Sequence, residues 1–240
     1  MTQSAIRDRF KDALWTSVPK HRVLVGGLGG IGSWLSLFLA RTGVCNMILL
    51  DRDVVEPVNI GGQFYKYSQQ GQNKNWALKD NIDSFTAPSI PLLDLYDNDI
   101  ETFGPATSVV FAGFDNMAAR KCIFEDWVIK VQKMPKDVNE PVLFVDGRLL
   151  AERFQVYFVT ADRIEEYRDT LFDDSEVETE SCTYKSTTHF AAMIAARIVQ
   201  GYTNYLTNFI QKDDLCDVPH LVVEEGPLYL TEVYDTFKIT

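Results

Sequence analysis

Cysteine and histidine are scarce in this chain, 4 and 3 among 240 residues. Cys45, Cys122, Cys182 and Cys216 stand far apart and form no C-x-x-C pair. That spacing argues against a structural zinc site and against a disulfide framework, and it fits a reducing, cytoplasmic compartment. His21, His189 and His220 have no metal-ligand spacing either. Positive charge is in deficit: 23 Lys and Arg against 34 Asp and Glu leave a net charge of −11. This balance disfavours nucleic-acid binding through a broad basic surface, and it suits small-molecule work or a partner with a basic face. No apolar run approaches the roughly 20 residues needed to cross a bilayer. The amino-terminal MTQSAIRDRFKDALW is polar and carries no signal-peptide core. Internal repeats and low-complexity linkers are also lacking. The length therefore predicts one α/β domain without a membrane segment.

What is present in abundance is small residues in one place. Arg22 to Val25 predicts a buried strand, and Gly27, Gly29, Gly30 and Gly32 follow in a G-x-G-G-x-G frame. A helix from Ser33 to Arg41 and a second strand from Asn46 to Leu50, ending in Asp51, complete a βαβ unit. Small residues let the backbone approach a phosphate, and the helix start supplies N–H groups and the positive end of a dipole. Asp51 is placed to take ribose hydroxyls. The turn alone does not choose between nucleotides. Gly27, Gly29 and Gly32 fit the dinucleotide fingerprint equally well, so an NAD-dependent oxidoreductase stays open here.

Around this unit the pattern predicts a helical lead-in over residues 1–20, with Ile6, Phe10 and Leu14 at helical spacing. Residues 52–71 read as a polar loop, Gln72 to Phe85 as a helix, and Ser89 to Leu93 as a weak strand. Thr107 to Ala112 is a buried strand, Gly113 to Asn116 its loop, and Met117 to about Lys133 a helix. A strand from Pro141 to Val145 ends in Asp146-Gly147-Arg148. Phe154 to Thr160 alternates like an antiparallel strand. The acidic run 173–180 predicts a mobile loop, Thr187 or Thr188 caps a helix to about Tyr205, and His220 to Tyr234 reads as two strands about Gly226-Pro227. The fold class expected is a doubly wound, mostly parallel, Rossmann-like sheet over 21–150, with a C-terminal antiparallel extension over 151–240.

The motif order decides what the glycine turn leaves open. Asp51-Arg52-Asp53 is followed by Asn59-Ile60-Gly61-Gly62-Gln63, then Lys74, then Asp115-Asn116-Met117-Ala118-Ala119-Arg120. This series resembles the ThiF/MoeB/HesA family, the adenylating domain shared with ubiquitin-activating enzymes, whose pattern is D-x-D, N-x-x-R-Q, a lysine and D-N-x-x-x-R. The resemblance covers residues 21–120 firmly and 141–206 more loosely, through DGRLLAERFQVY and SCTYKSTTHFAAMIAARIV. It implies an ATP-dependent adenylyltransferase that activates a C-terminal carboxylate of a ubiquitin-like or sulfur-carrier protein, or of a peptide, as an acyl-adenylate. It also implies a homodimer. With no paired C-x-x-C and no rhodanese or ubiquitin-fold domain, the chain is expected to be a minimal, stand-alone member.

By the same resemblance, Gly27, Gly29, Gly30 and Gly32 cradle ATP with Asp51 and Asp53, while Asn59 and Gln63 line the triphosphate. Lys74 neutralises phosphates, Asn116 and Arg120 support the nucleotide, and Asp115 holds Mg²⁺. The chemistry needs such a set, because a carboxylate attacking the α-phosphorus meets heavy negative charge. Each residue also has a plainer role: Asp51 as a turn cap, Lys74 as a solvated lysine beside Lys66 and Lys79, Asp115 as a helix cap, Arg120 as the partner of Glu125 or of the adjacent strand. Cys182 sits where relatives carry a thioester-forming cysteine; a helix start and Lys185 favour its thiolate, the acidic run opposes it, and His189 is a conceivable partner. Cys45 and Cys122 read as core. The departure from the family is Gly62, which stands where the pattern has arginine. Arg52, Lys66, or Arg7 or Arg9 of a second subunit are the substitutes available. Without one, the chain is a nucleotide- or partner-binding module with impaired catalysis.

Overall fold

The computed structural model describes residues 8–18, 21–44, 46–85, 107–135, 139–173 and 187–237. Strand β1 (Val23–Gly26) leads through helix α1 (Gly30–Arg41) to β2 (Met47–Leu50). Helix α2 (Lys74–Phe85) precedes β3 (Val109–Ala112), α3 (Met117–Lys133) and β4 (Leu143–Leu150). Then come β5 (Arg153–Val159), the short α4 (Ile164–Arg168), the long α5 (Thr188–Gln211), β6 (Leu221–Glu225) and β7 (Leu230–Tyr234). The seven strands form one sheet in the order β2-β1-β3-β4-β5-β6-β7. The first four pair in parallel. The last three continue antiparallel from β4. This is the doubly wound sheet with an antiparallel extension that the alternating pattern predicts.

Strand alternation divides the core into two faces. Val23, Val25, Met47, Leu49, Val109 and Phe111 point to one side, where α1, α2 and α5 bury Leu35, Leu78, Ile194 and Ile198. Leu24, Ile48, Leu50 and Val110 point to the other, against Ile123, Phe124 and Trp127 of α3 and Tyr167 of α4. Both faces of the parallel strands are covered, so these strands read as unbroken apolar runs rather than alternating ones. Each fully buried Leu or Phe contributes about 1.5–3 kcal/mol relative to exposure.

Several boundaries differ from the sequence expectation, each for a tertiary reason. Helix α1 begins at Gly30 rather than Ser33, because the glycines themselves form its first turn. Strand β4 does not stop at Val145: it runs through Asp146-Gly147-Arg148 to Leu150, since β5 pairs with it from Phe144↔Val159 to Leu150↔Arg153. Helix α5 extends to Gln211, beyond Tyr205, and ends on Lys212 in the left-handed region at φ 54°. Over its described part, residues 8–18, the lead-in forms two short 3-10 turns, Asp8–Phe10 and Leu14–Ser17, while Ile6 lies outside the described residues. Residues 52–71 hold two more such turns, Pro57–Gly61 and Tyr67–Gln69, and Val54 bridges Asn73. The expected strand Ser89 to Leu93, the acidic segment 174–180, Cys45 and Cys182 lie outside the described residues. Among the described residues no helix is long and apolar enough to cross a membrane.

Candidate active site

After β1 the chain moves to β2 on one side and later returns to β3 on the other, so a crevice opens past the carboxyl ends of these strands. Its floor is the glycine turn. Gly27 has φ 79°, and a Cβ there would lie 2.7 Å from the Phe114 backbone nitrogen. A Cβ on Gly32 would lie 1.9 Å from the Gly27 carbonyl oxygen, so only glycine lets α1 approach β1 this closely. Gly29 caps α1 with no side-chain hydrogen bond. Its first N–H groups therefore meet no side-chain cap, as an anion site requires. Gly30 opens the helix and its carbonyl accepts from the Ser33 hydroxyl at 3.4 Å.

The turn is clamped at one residue, Leu28. The Leu28 N–H donates to Asp51 Oδ2 at 2.7 Å, and the Leu28 carbonyl accepts from the Tyr65 hydroxyl at 2.7 Å. Asp51 Oδ1 accepts the Asp53 N–H at 2.8 Å. Each carboxylate oxygen keeps a lone pair for a hydroxyl donor. Burial pushes the Asp51 carboxyl above its ordinary range; the nearby Lys74 charge and the two N–H groups pull the other way. Burial, reinforced by Asp51 and Asp53, raises the Tyr65 phenol well above normal. Tyr65 therefore stays protonated as a donor.

Lys74 is the first residue of α2, and its ammonium pairs with Asp53 at 3.2 Å. The lysine side chain is 7% exposed and the aspartate 62%, so the charge is aimed inward while its partner faces solvent. Of the rival lysines, Lys79 pairs with Asp83 at 2.6 Å on α2, and Lys66 is exposed. Asn59 closes the 3-10 turn: its Oδ1 accepts the Glu56 N–H, and its carbonyl accepts the Gly62 and Gln63 N–H groups. Gln63 Oε1 is buried with no hydrogen-bond partner. The Gln63 amide nitrogen is 3.9 Å from where a Gly29 Cβ would sit. Gln63 thus stands beside the uncapped helix start with an unsatisfied acceptor oxygen.

Beyond β3, Asp115 is exposed and Asn116 is the helix cap, accepting the Ala119 N–H at 2.8 Å. The plainer role suggested for Asp115 thus belongs to its neighbour, and Asp115 receives a 3.4 Å contact from the Asn116 amide. Arg120 is buried and donates to Asp146 and to the Phe114 carbonyl; Glu125 pairs instead with Arg168. Among the described residues no group of three or more His, Cys, Asp or Glu is placed to hold a metal. Mg²⁺ carried on nucleotide phosphates needs only one or two protein carboxylates, and Asp115 fits that requirement.

Sequence reasoning missed four supports. Tyr65 gave no motif signal, and Asp146 was read only as the end of a strand and the first residue of DGRLLAERFQVY, not as the buried partner of Arg120. Trp34 donates its indole N–H to the Gly62 carbonyl at 3.1 Å, and the Thr188 hydroxyl donates to the Gly61 carbonyl. These bonds join positions 28 and 127 residues apart, which no local pattern announces. Thr187 is the cap residue of α5, but its side chain makes no capping bond.

Comparison with known proteins bears on the fold and the family. Ubiquitin-like modifier-activating enzyme 5 of Dictyostelium discoideum is 37% identical over 62 residues, which is 26% of this chain and 16% of that protein. Its Caenorhabditis elegans counterpart is 40% identical over 65 residues, 27% of this chain and 16% of its own length. The match therefore spans a small part of those relatives. Among solved structures, E. coli MccB with ATP gives a TM-score of 0.66 at 14% identity, over 94% of this chain and 66% of that one. The microcin C7 biosynthetic enzyme MccB in complex with N-formylated MccA gives 0.68 at 14% identity, over 94% of this chain and 67% of that one. PaaA gives 0.66 at 17% identity, over 95% of this chain and 68% of that one. At these identities the likeness shows a shared fold. The model of the ThiF family matches residues 3–219, nearly the whole described structure, and the chain belongs to the ThiF family.

Proposed function

We propose that this protein is an ATP-dependent adenylyltransferase that activates a C-terminal carboxylate, on a ubiquitin-like or sulfur-carrier protein or a peptide, as an acyl-adenylate. The observation that carries the reading is the glycine turn, locked through Leu28 between Asp51 and Tyr65 beneath an uncapped helix start. A carboxylate oxygen bonds the α-phosphorus, the bond to the bridging oxygen of the β-phosphate breaks, and pyrophosphate leaves; no proton is transferred. Asp51 takes the ribose, Lys74 exchanges Asp53 for phosphate oxygens, and Gln63 donates from its side-chain amide N–H group. When bound, Mg²⁺ would offset phosphate charge from Asp115. The names of the relatives support the substrate class: modifier-activating enzymes act on ubiquitin-like proteins, and one neighbour is bound to MccA.

One observation favours a second reading, a module that binds nucleotide without adenylation. Gly62 supplies no cation, and its carbonyl is already bonded to Trp34. Its φ of −136° suits any residue, so arginine fits the backbone there. Arg52, Lys66 or a lead-in arginine of a second subunit would otherwise have to serve.

Calorimetry with Mg²⁺–ATP against NAD separates the readings. ATP binding weakened by about tenfold or more in both Lys74→Ala and Asp115→Ala is expected, by the usual worth of charged contacts. NAD binding in place of ATP would overturn the proposal. ATP binding without pyrophosphate exchange, with exchange appearing in Gly62→Arg, would establish the second reading instead.

A further inference from the structure

Asp146 on β4 is a carboxylate with no exposed surface, and it holds two guanidinium groups. Arg120 bonds one oxygen; Arg148 Nε bonds the other at 2.6 Å, where the Tyr167 hydroxyl also donates at 3.0 Å. Arg148 lies 4.3 Å over the Tyr157 ring and donates to the Thr170 carbonyl and hydroxyl at 3.2 and 3.0 Å. Burial opposes the Arg148 charge, but Asp146 acting together with Tyr167 and Tyr157 outweighs it and keeps the guanidinium protonated. The carboxylate is therefore fixed at both oxygens and cannot swing.

Arg120 has a second bond whose direction matters. Side chains on a helix lean toward its start. From the second turn of α3, Arg120 thus reaches back past the Asn116 cap to the Phe114 carbonyl. That carbonyl belongs to the peptide joining Phe114 to Asp115. On the other side of the loop, the Gly113 N–H bonds the Gly26 carbonyl at 2.7 Å, and the Phe114 ring packs on Gly26. Asp115 itself is exposed, with one 3.4 Å side-chain contact, so its orientation depends on its backbone.

We propose that Asp146 and Arg120 are a positioning pair that holds the Phe114–Asp115 peptide where Mg²⁺–ATP needs the Asp115 carboxylate. This rests on the adenylation reading, and it gives the D-N-x-x-x-R spacing a physical reason: the arginine lies one helical turn beyond the cap and aims back at the acid's own backbone.

The test uses Arg120→Lys, which keeps the charge but cannot serve Asp146 and the Phe114 carbonyl together. Asp146→Asn is the harsher companion, since it leaves two buried guanidinium groups without a counter-charge and puts folding at risk. Two readouts are needed: amide exchange over residues 113–117 in the ligand-free protein, and calorimetric ATP affinity with Mg²⁺ and with a chelator. Arg120→Lys should speed exchange over 113–117 while leaving β5 and α5 unchanged. It should lose about tenfold of the Mg²⁺-dependent gain in ATP affinity, as a support behind a metal ligand does. Arg120→Lys combined with Asp115→Ala should bind Mg²⁺–ATP no more weakly than Asp115→Ala alone. Unchanged exchange, equal losses with and without Mg²⁺, or a loss that multiplies onto Asp115→Ala would each overturn the pair. Wild-type protein that binds no ATP would overturn the adenylation reading instead, and amide exchange alone would then decide whether the pair braces the loop.

Discussion

Asp51 concentrates the physics of the site in one side chain. It accepts two backbone N–H bonds and lies near Lys74, yet burial outweighs them and raises its pKa. A carboxyl whose folded pKa exceeds its unfolded one binds its proton more tightly in the folded state. Its contribution to stability then falls as pH rises from about 4 through the raised value. Asp51→Asn removes that titration. The stability of wild type relative to Asp51→Asn should therefore decline from acid toward neutral pH in ligand-free protein, as followed by urea unfolding. A difference that stays flat or grows with pH would show that Lys74 and the N–H bonds prevail over burial. Lys74 shows the converse arrangement, a nearly buried cation held by an exposed acid.

At the scale of elements, helix starts do most of the positioning. Helix α1 starts uncapped over the crevice, α2 starts on Lys74, and α3 starts on the Asn116 cap directly after Asp115. Asn116→Ala should cost about 1 kcal/mol of stability, the usual value of a lost side-chain cap. Chemical denaturation checks it, and a loss near zero would mean that the turn is held by Arg120 rather than by its cap. The elements were largely legible in the sequence: α3 from Met117 to Lys133, the two strands about Gly226-Pro227, and the glycine turn each announced themselves through local chemistry. Strand β4 did not, because Asp146 and Arg148 look like loop residues until their buried partners are known.

For the whole molecule, the antiparallel half serves the parallel half. Helix α5 crosses back over the face that carries α1, and its Thr188 hydroxyl holds the Gly61 carbonyl beside the crevice. The crossing is tight at Gly201, where a Cβ would stand 2.2 Å from the Phe158 ring. Gly201→Ala should destabilise the fold by about 1–3 kcal/mol through overpacking. Thermal unfolding measures it, and an unchanged midpoint would show that Phe158 can move aside.

The sequence by itself determined the βαβ unit, the glycine turn, the order of the site motifs and the family, because each rests on residues close in the chain. Glycine geometry, apolar periodicity and helix caps are local properties that sequence spacing exposes. Only the tertiary structure decided that Arg120 lies on Asp146, that Asp51 and Tyr65 hold Leu28 by its N–H and its carbonyl, and that Asn116 rather than Asp115 caps α3. The first two choices pair groups far apart in the chain. The third turns on which of two adjacent acceptors the backbone presents to a free N–H. In each case the cost of burying an unpaired polar group fixes the partner, and that cost exists only once the chain has folded.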